Sequence, residues 1–410
     1  MPARPSTCLL CTFRETPLPK LRICKNGLLD SVRRFSSSSQ KLATSRTELQ
    51  SAEKYCVDLL QKYDRPSFTL STFVPRHTTK FYIALHALNV SLSMIPETTS
   101  TQTIGLMRLQ FWRDTITRTL AGNPPKEPIA ILLASALSDL DSRTQGKAKI
   151  SKAWLMRLIN AREQHLTLAP YPNLSSLESY AEQTYSTLSY LMLSALPLNS
   201  LTADHLASHI GKASGITALL RGVPLIAFPP PPNHHSNRDG LKGGISGDMS
   251  GSQQGAVILP LDVMAQAGVK EEEVFRQGAD APGLRDAVFA VATRASDHLI
   301  TARQMLKNIR AGEEVGHDFE HHGEEGHEYQ DQFGDVPGQT TGQEITKTSR
   351  LTNDLHDIDR SFGLFLPAVS TNLWLNKLQK VDFDIFKPEL LSTDWRLPWK
   401  AYWAYKRRTF

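Results

Sequence analysis

Ala203-Asp204-His205-Leu206-Ala207-Ser208-His209-Ile210-Gly211-Lys212-Ala213-Ser214-Gly215-Ile216-Thr217-Ala218-Leu219-Leu220-Arg221-Gly222-Val223-Pro224 is the stretch that decides the reading of this chain. It reads as a helix starting near Thr202. His205 and His209 fall one turn apart on it, a spacing that can hold a metal. No third ligand is in view, so hydrogen bonding within an internal cavity of the fold is the expectation. A hard divalent cation binds chiefly through carboxylate oxygens, and helical sites supply them from residues one turn apart. No two Asp are adjacent in the chain, which excludes D-D-x-x-D, and the one D-x-x-x-D pairs Asp331 with Asp335. That pair lies in a Gly- and His-rich stretch without apolar period, a poor place for a preorganised metal site.

In the same stretch Gly211, Lys212, Ala213 and Arg221, followed by Gly255, Leu259 and Pro260, keep the frame of two linked motifs, G-[RK]-A-x-Q-x-x-N-x-x-R-D-x-x-x-D and G-R-x-Y-L-P. Gly215 stands for the Gln, Ala218 for the Asn, Gly222 and Ile226 for the two Asp, Ala256 for the second Arg and Ile258 for the Tyr. An earlier motif, A-L-x-A-[FW]-x-R-x-x-D-x-x-x-D, matches Ala84 to Glu97, with Val90 for the Arg, Ser93 for the first Asp and Glu97 for the last. Pro96 is expected to end or kink that helix. These motifs resemble the squalene/phytoene synthase family. The resemblance implies an all-α, isoprenoid-synthase-like helical array around a central cavity. In active members a magnesium cluster neutralises the departing pyrophosphate. Here the scaffold persists while both acidic motifs have failed, so no catalytic residue, metal site or cofactor is expected.

A narrower resemblance, to a catalytically degenerate mitochondrial branch of that family, rests on four blocks. They are Thr103 to Arg113; Asn123-Pro124-Pro125 with Pro128-Ile129-Ala130; Ala203-Asp204-His205 with Ser208 to Ala213; and Val381 to Phe386 followed by Pro388. They span roughly residues 50 to 408. The resemblance implies a matrix protein, peripheral to the inner membrane, whose partners are subunits or early assembly intermediates of respiratory complex I. Two alternatives stay open: an active prenyltransferase condensing prenyl diphosphates, and a carrier holding an isoprenoid or lipid in the same cavity. For the carrier, Arg108, Lys212 and Arg221 are the candidate phosphate ligands, since a guanidinium matches phosphate bidentately. The competing role for each is an internal ion pair or a solvated face.

The N-terminus agrees with import. Residues 1–35 hold seven basic residues (Arg4, Arg14, Lys20, Arg22, Lys25, Arg33, Arg34) against Glu15 and Asp30, an excess equal to the formal charge of +5 for the whole chain. With Arg33-Arg34-Phe35 and the serines after it, this is transit-peptide composition, and residues 1–46 are expected to be transit peptide and linker. The remainder is then close to neutral, which removes the main support for nucleic-acid binding. Cys8, Cys11 and Cys24 fall in the leader and leave Cys56 alone, so neither a disulfide framework nor a thiolate metal site is expected.

Apolar residues recur at helical spacing: Tyr55, Leu59 and Leu60; Phe81, Leu85, Leu88 and Leu92; Trp154, Leu155 and Leu158; Leu188, Leu191 and Leu193; Val288, Val291 and Ala295. Helix starts are expected at Ser51, Ser151, Ser175 and Thr202. One helical domain over 47–408 follows, interrupted by disordered insertions at about 229–254 and 311–350 whose polar, Gly-rich composition cannot offset the entropy of ordering. His317, His321, His322 and His327 have zinc-ligand chemistry, but a flexible acidic linker collects such residues without positioning them. Asp354, Asp357 and Asp359 stand where capping a helix is the default. Trp395, Trp399 and Trp403, with Tyr402, Tyr405, Lys400, Lys406, Arg407 and Arg408, suit either a membrane interface or, given Pro398, a packed last helix. No uncharged apolar run approaches the roughly 20 residues that span a bilayer.

Overall fold

Helix α10 (Leu201–Ala227) is apolar around most of its circumference. Such a helix has to be surrounded. Its neighbours are α8 (Leu174–Ala181), a π turn at Glu182–Ser186, α9 (Thr187–Ala195), α13 (Leu284–Ala311) and α15 (Pro367–Lys380). By length and composition α10 passes for a membrane span, yet 61% of the qualifying window is buried inside this array.

The computed structural model describes residues 28–99, 101–198, 200–229, 255–313 and 353–410. Most of the expected leader, nearly all of both insertions, the histidines at 317, 321, 322 and 327 and the Asp331/Asp335 pair lie outside the described residues. The chain divides into two units, Met1–Thr47 and Glu48–Phe410. Helix α1 (Leu28–Tyr63) begins within the first and displaces the start expected at Ser51. Between Gly27 and Pro66 no glycine or proline occurs to break it.

In the second unit, the remaining helices are α2 (Arg65–Leu70), α3 (Thr79–Ser93), α4 (Ile95–Thr98), α5 (Gln102–Leu120), α6 (Pro128–Thr144), α7 (Lys152–Gln164), α11 (Leu261–Ala267), α12 (Glu271–Gln277), α14 (353–361) and α16 (Leu397–Arg407). Among the described residues no strand is present. Starts expected at Ser175 and Thr202 are each two residues late. Asn173 caps α8 by accepting the Ser176 N–H at 2.8 Å, and Ser200 caps α10 by accepting the Ala203 N–H at 3.1 Å. The expected start at Ser151 stands, as it directly precedes α7.

Two apolar cores flank α10. Ile210 and Ala213 from its first half share one core with Leu299, Met305 and Leu306 of α13, while Ile216, Leu220 and Val223 share the other with Val288, Val291 and Ala295. The opposite ends of the two helices meet, so they run antiparallel. On α3, Phe81, Leu85, Leu88 and Leu92 are fully enclosed, each contributing about 1.5–3 kcal/mol of burial. On α1 the buried stripe is Ala52, Cys56 and Leu60. Tyr55, expected inside, is 47% exposed.

Glycines permit a close approach of two helices. A Cβ at Gly211 would lie 2.4 Å from the Ser186 Cα, and one at Gly215 2.5 Å from the Ala181 Cβ. Both residues therefore let α10 lie backbone to backbone against the α8 to α9 helix at its π turn. Ser186 Oγ donates to the Ser208 carbonyl at 3.1 Å and fixes the contact.

Candidate functional site

Helix α3 and the short α4 carry the first degenerate motif, α10 carries the second, and both line a cavity of two chambers. Val90, Ser93, Ala218, Arg221 and Gly222 line the larger, of about 340 Å³, together with Asp64, His86 and Asn89. Ser93, Glu97, Gly215, Ala218, Gly222 and Ile226 line the smaller, of about 240 Å³. Ser93, Tyr185, Ala218 and Gly222 belong to both linings. All seven degenerate-motif positions thus meet around one cavity. Proline explains the bend in the first motif. Helix α3 stops at Ser93, and Pro96 opens α4, where its missing N–H costs no helical hydrogen bond.

The donor set of the two motifs does not fit a magnesium cluster. Ser93, Gly222 and Ile226 offer no carboxylate, which leaves Glu97, whose carboxyl is pushed up by burial. Asp64, in the larger chamber, is already engaged. It accepts the Ser67 N–H at 3.2 Å as the cap of α2 and lies 3.7 Å from His86 Nδ1. Burial alone would raise its pKa, but nearby His86 together with the Ser67 bonds brings it below the ordinary value. Among the described residues no three His, Cys, Asp or Glu side chains gather as a metal site.

Cations and tyrosines take the place of carboxylates. Arg221 lies over the Trp374 ring at 5.3 Å, and burial pulls its pKa down. Arg162 reaches the smaller chamber from α7, donating through Nη2 to Asn89 Oδ1 at 2.8 Å and through Nη1 to the Tyr180 hydroxyl. Burial opposes its charge, but Tyr180, Tyr185 and Tyr171 around it outweigh that and raise its pKa. Burial in turn pushes the Tyr185 hydroxyl up to about 12. The Nε atoms of both arginines are buried with no hydrogen-bond partner among the described residues.

Three expectations need correction. Arg108 is exposed on α5 and donates to Thr98 Oγ1 at 2.8 Å; it lines neither chamber. Lys212 is buried away from the chambers, on the turn of α10 whose charge acts on Glu178. His205 and His209 are hydrogen-bonded as expected, but between α10 and α13 rather than in the cavity. His205 Nε2 meets His209 Nε2 at 3.2 Å, His209 Nδ1 meets His298 Nδ1 at 3.0 Å, and His298 Nε2 meets Glu178 Oε1 at 2.8 Å. Position on a helix gives a residue's face only once its neighbours are known; both faces of α10 are buried. The three Asp of α14 turn to separate partners, Asp354 accepting from Thr202 Oγ1 at 2.9 Å, Asp357 lying 3.7 Å from His356 Nδ1 and Asp359 3.4 Å from Arg310.

Sequence reasoning missed Arg162 and its tyrosines because they lie on α7, the loop after it, α8 and the π turn, outside any acidic motif. The signal available was Tyr171, Tyr180 and Tyr185 clustered shortly after Arg162.

Comparison with known proteins agrees with this architecture. The squalene/phytoene synthase family model matches residues 60–225 and 245–315. A dehydrosqualene synthase structure superposes with a TM-score of 0.56 at 13% identity, covering 88% of this chain and 99% of that one. A squalene synthase from Alicyclobacillus acidocaldarius gives 0.52 at 14% identity, over 82% and 97%. These two likenesses speak to fold. Sequence relatives are nearer: "NADH dehydrogenase (ubiquinone) complex I, assembly factor 6" of Mus musculus is 32% identical over 360 residues, 88% of this chain and 84% of the relative. Its Homo sapiens counterpart is 31% identical over 87% and 83%. With more than half its length matched by the family model, the chain belongs to the squalene/phytoene synthase family.

Proposed function

We propose that this chain is a non-catalytic assembly factor for mitochondrial respiratory complex I, the NADH:ubiquinone oxidoreductase, acting early and peripherally on the matrix face of the inner membrane. One observation carries the reading above the others. The helix faces that would chelate a metal cluster present Ser93, Gly222 and Ile226 while the scaffold around them is kept, in a chain that aligns along most of its length with relatives named assembly factors. Protein contact is a role such a scaffold keeps without chemistry. Ile104, Met107 and Phe111 form an exposed apolar stripe on α5, inside the first block shared with that branch. In cells lacking this chain, native gels should show loss of mature complex I and accumulation of subassemblies, both reversed by the intact gene. Normal complex I in such cells would remove the role.

A second reading is favoured by the unsatisfied Nε atoms of Arg162 and Arg221. A buried donor left without a partner costs about 1–3 kcal/mol, and a phosphate-bearing isoprenoid or lipid would supply acceptors to both. Purified protein should bind farnesyl diphosphate without Mg²⁺. Arg221→Ala should weaken that binding by roughly 10- to 100-fold, from the value of a hydrogen bond to a charged group. Unchanged affinity would sink the carrier reading, and Mg²⁺-dependent pyrophosphate release would instead restore the prenyltransferase.

A further inference from the structure

The last helix is built inside out for a water-soluble surface. In α16 the residues turned inward are Leu397, Ala401 and Ala404, small enough for close packing against α15 and α2. The large aromatic residues face out: Trp395 just before the helix is 76% exposed, Trp399 65% and Trp403 53%, with Tyr402 beside them and Leu391 on the preceding turn also exposed. Core packing, the alternative left open by the sequence, is thereby overturned for the tryptophans. Pro398 does not interrupt the helix; it occupies the first turn, where proline is tolerated.

We propose that the exposed face of α16 is the surface by which this protein docks on an anionic bilayer, an inference that rests on the peripheral membrane location proposed above. Charge selects the occupant. From Leu397 to Phe410 there are four basic residues, Lys400, Lys406, Arg407 and Arg408, and no acidic one. Lys400, Lys406 and Arg407 are exposed beside the tryptophans, and Arg407 lies over the Trp403 ring at 5.3 Å. Indole rings prefer the headgroup region, where an apolar body and a polar N–H are both accommodated. Lysines next to them meet anionic headgroups, whereas protein interfaces are depleted in lysine. With 11 residues α16 is too short to span a bilayer and suits a helix lying in the interface plane. Asp394, the nearest acid, is neutralised within the fold by Arg396 at 2.9 Å and by Lys377 at 3.9 Å.

The test uses the purified full chain and vesicles of equal parts phosphatidylcholine and phosphatidylglycerol, with pure phosphatidylcholine as comparison. Co-flotation with the anionic vesicles, a blue shift of tryptophan emission and weakening by salt are expected. A triple variant, W395A, W399A and W403A, should reduce partitioning at least tenfold, and each of K400E and K406E about fivefold or more, from the value of one charge near an anionic surface. These side chains are solvent-exposed, so an unchanged melting temperature verifies that the variants are folded. The inference is overturned if the folded triple variant partitions like the parent. It is overturned equally if the parent ignores anionic vesicles, and most directly if the triple variant instead loses a complex I subunit that co-purifies with the parent, which would make the face a protein contact. Vesicle binding requires no complex I, so failure here leaves the assembly role standing, and failure of that role leaves this result readable.

Discussion

Gly211→Ala is expected to destabilise the protein by about 3 kcal/mol or more, a large fraction of the roughly 5–15 kcal/mol that holds a typical domain folded. The new Cβ would sit 2.3 Å from Ser186 Oγ, 2.4 Å from its Cα and 2.5 Å from its N. Two of those atoms are backbone, so no rotamer change relieves the clash. Helix α10 would have to move off the π turn, opening both cores that it joins. Against this, the helix-propensity gain of alanine over glycine is only about 1 kcal/mol. Gly222 supplies the control, because a Cβ there meets Ile226 Cδ1 at an ordinary 3.7 Å. Gly222→Ala should be neutral or raise stability by up to about 1 kcal/mol. Denaturant midpoints distinguish the pair, and equal behaviour of the two variants would contradict the proposed helix contact. Gly215 extends the point. The glutamine that the family motif has there would place its Cβ 2.5 Å from the Ala181 Cβ, so the motif position has become a packing surface.

Removing Glu178 should have the second-largest effect, about 3–5 kcal/mol for Glu178→Ala, the usual range for breaking a buried charge pair by deleting one member. Its carboxylate lies 2.7 Å from Arg294 and 2.8 Å from His298, both on α13, and so ties α8 to α13 beside α10. Burial works to raise its pKa, but the His298 hydrogen bond and the charges of His298, Arg294 and Lys212 lower it overall. A glutamate held below its ordinary value near 4.5 stabilises the fold fully above that pH and loses the contribution as pH falls through the lowered value. The gap in stability between the parent and Glu178→Ala should therefore shrink as pH falls below about 4.5. A gap that widened in acid would contradict this electrostatic account.

The fold was legible where apolar pattern demands burial. A run as long and apolar as 201–227 needs an apolar surround, which the helix array supplies, and the spacing of Phe81, Leu85, Leu88 and Leu92 fixes the buried face of α3. The cavity was legible through motif positions, since Ser93, Glu97, Gly215, Ala218, Gly222 and Ile226 do converge. What escaped was set by tertiary contact. Arg108 and Lys212 carry the right charge but sit on the wrong side of their helices, whereas Arg162 enters the chamber from α7, which no motif marks. The π turn leaves no periodic trace, because it shifts the register of one helix by a single residue. The direction of the tryptophans in α16 was readable only from their complement: Leu397, Ala401 and Ala404 form the small inward stripe.

Glu97 is the last carboxylate left from either acidic motif, and it offers the most direct test of a scaffold that works without chemistry. In cells lacking the chain, complementation with Glu97→Gln should restore mature complex I on native gels as fully as the parent gene, with equal protein levels verified by immunoblot. Failure of Glu97→Gln to restore the complex, with the variant present and folded, would contradict the account and return the cavity to catalysis.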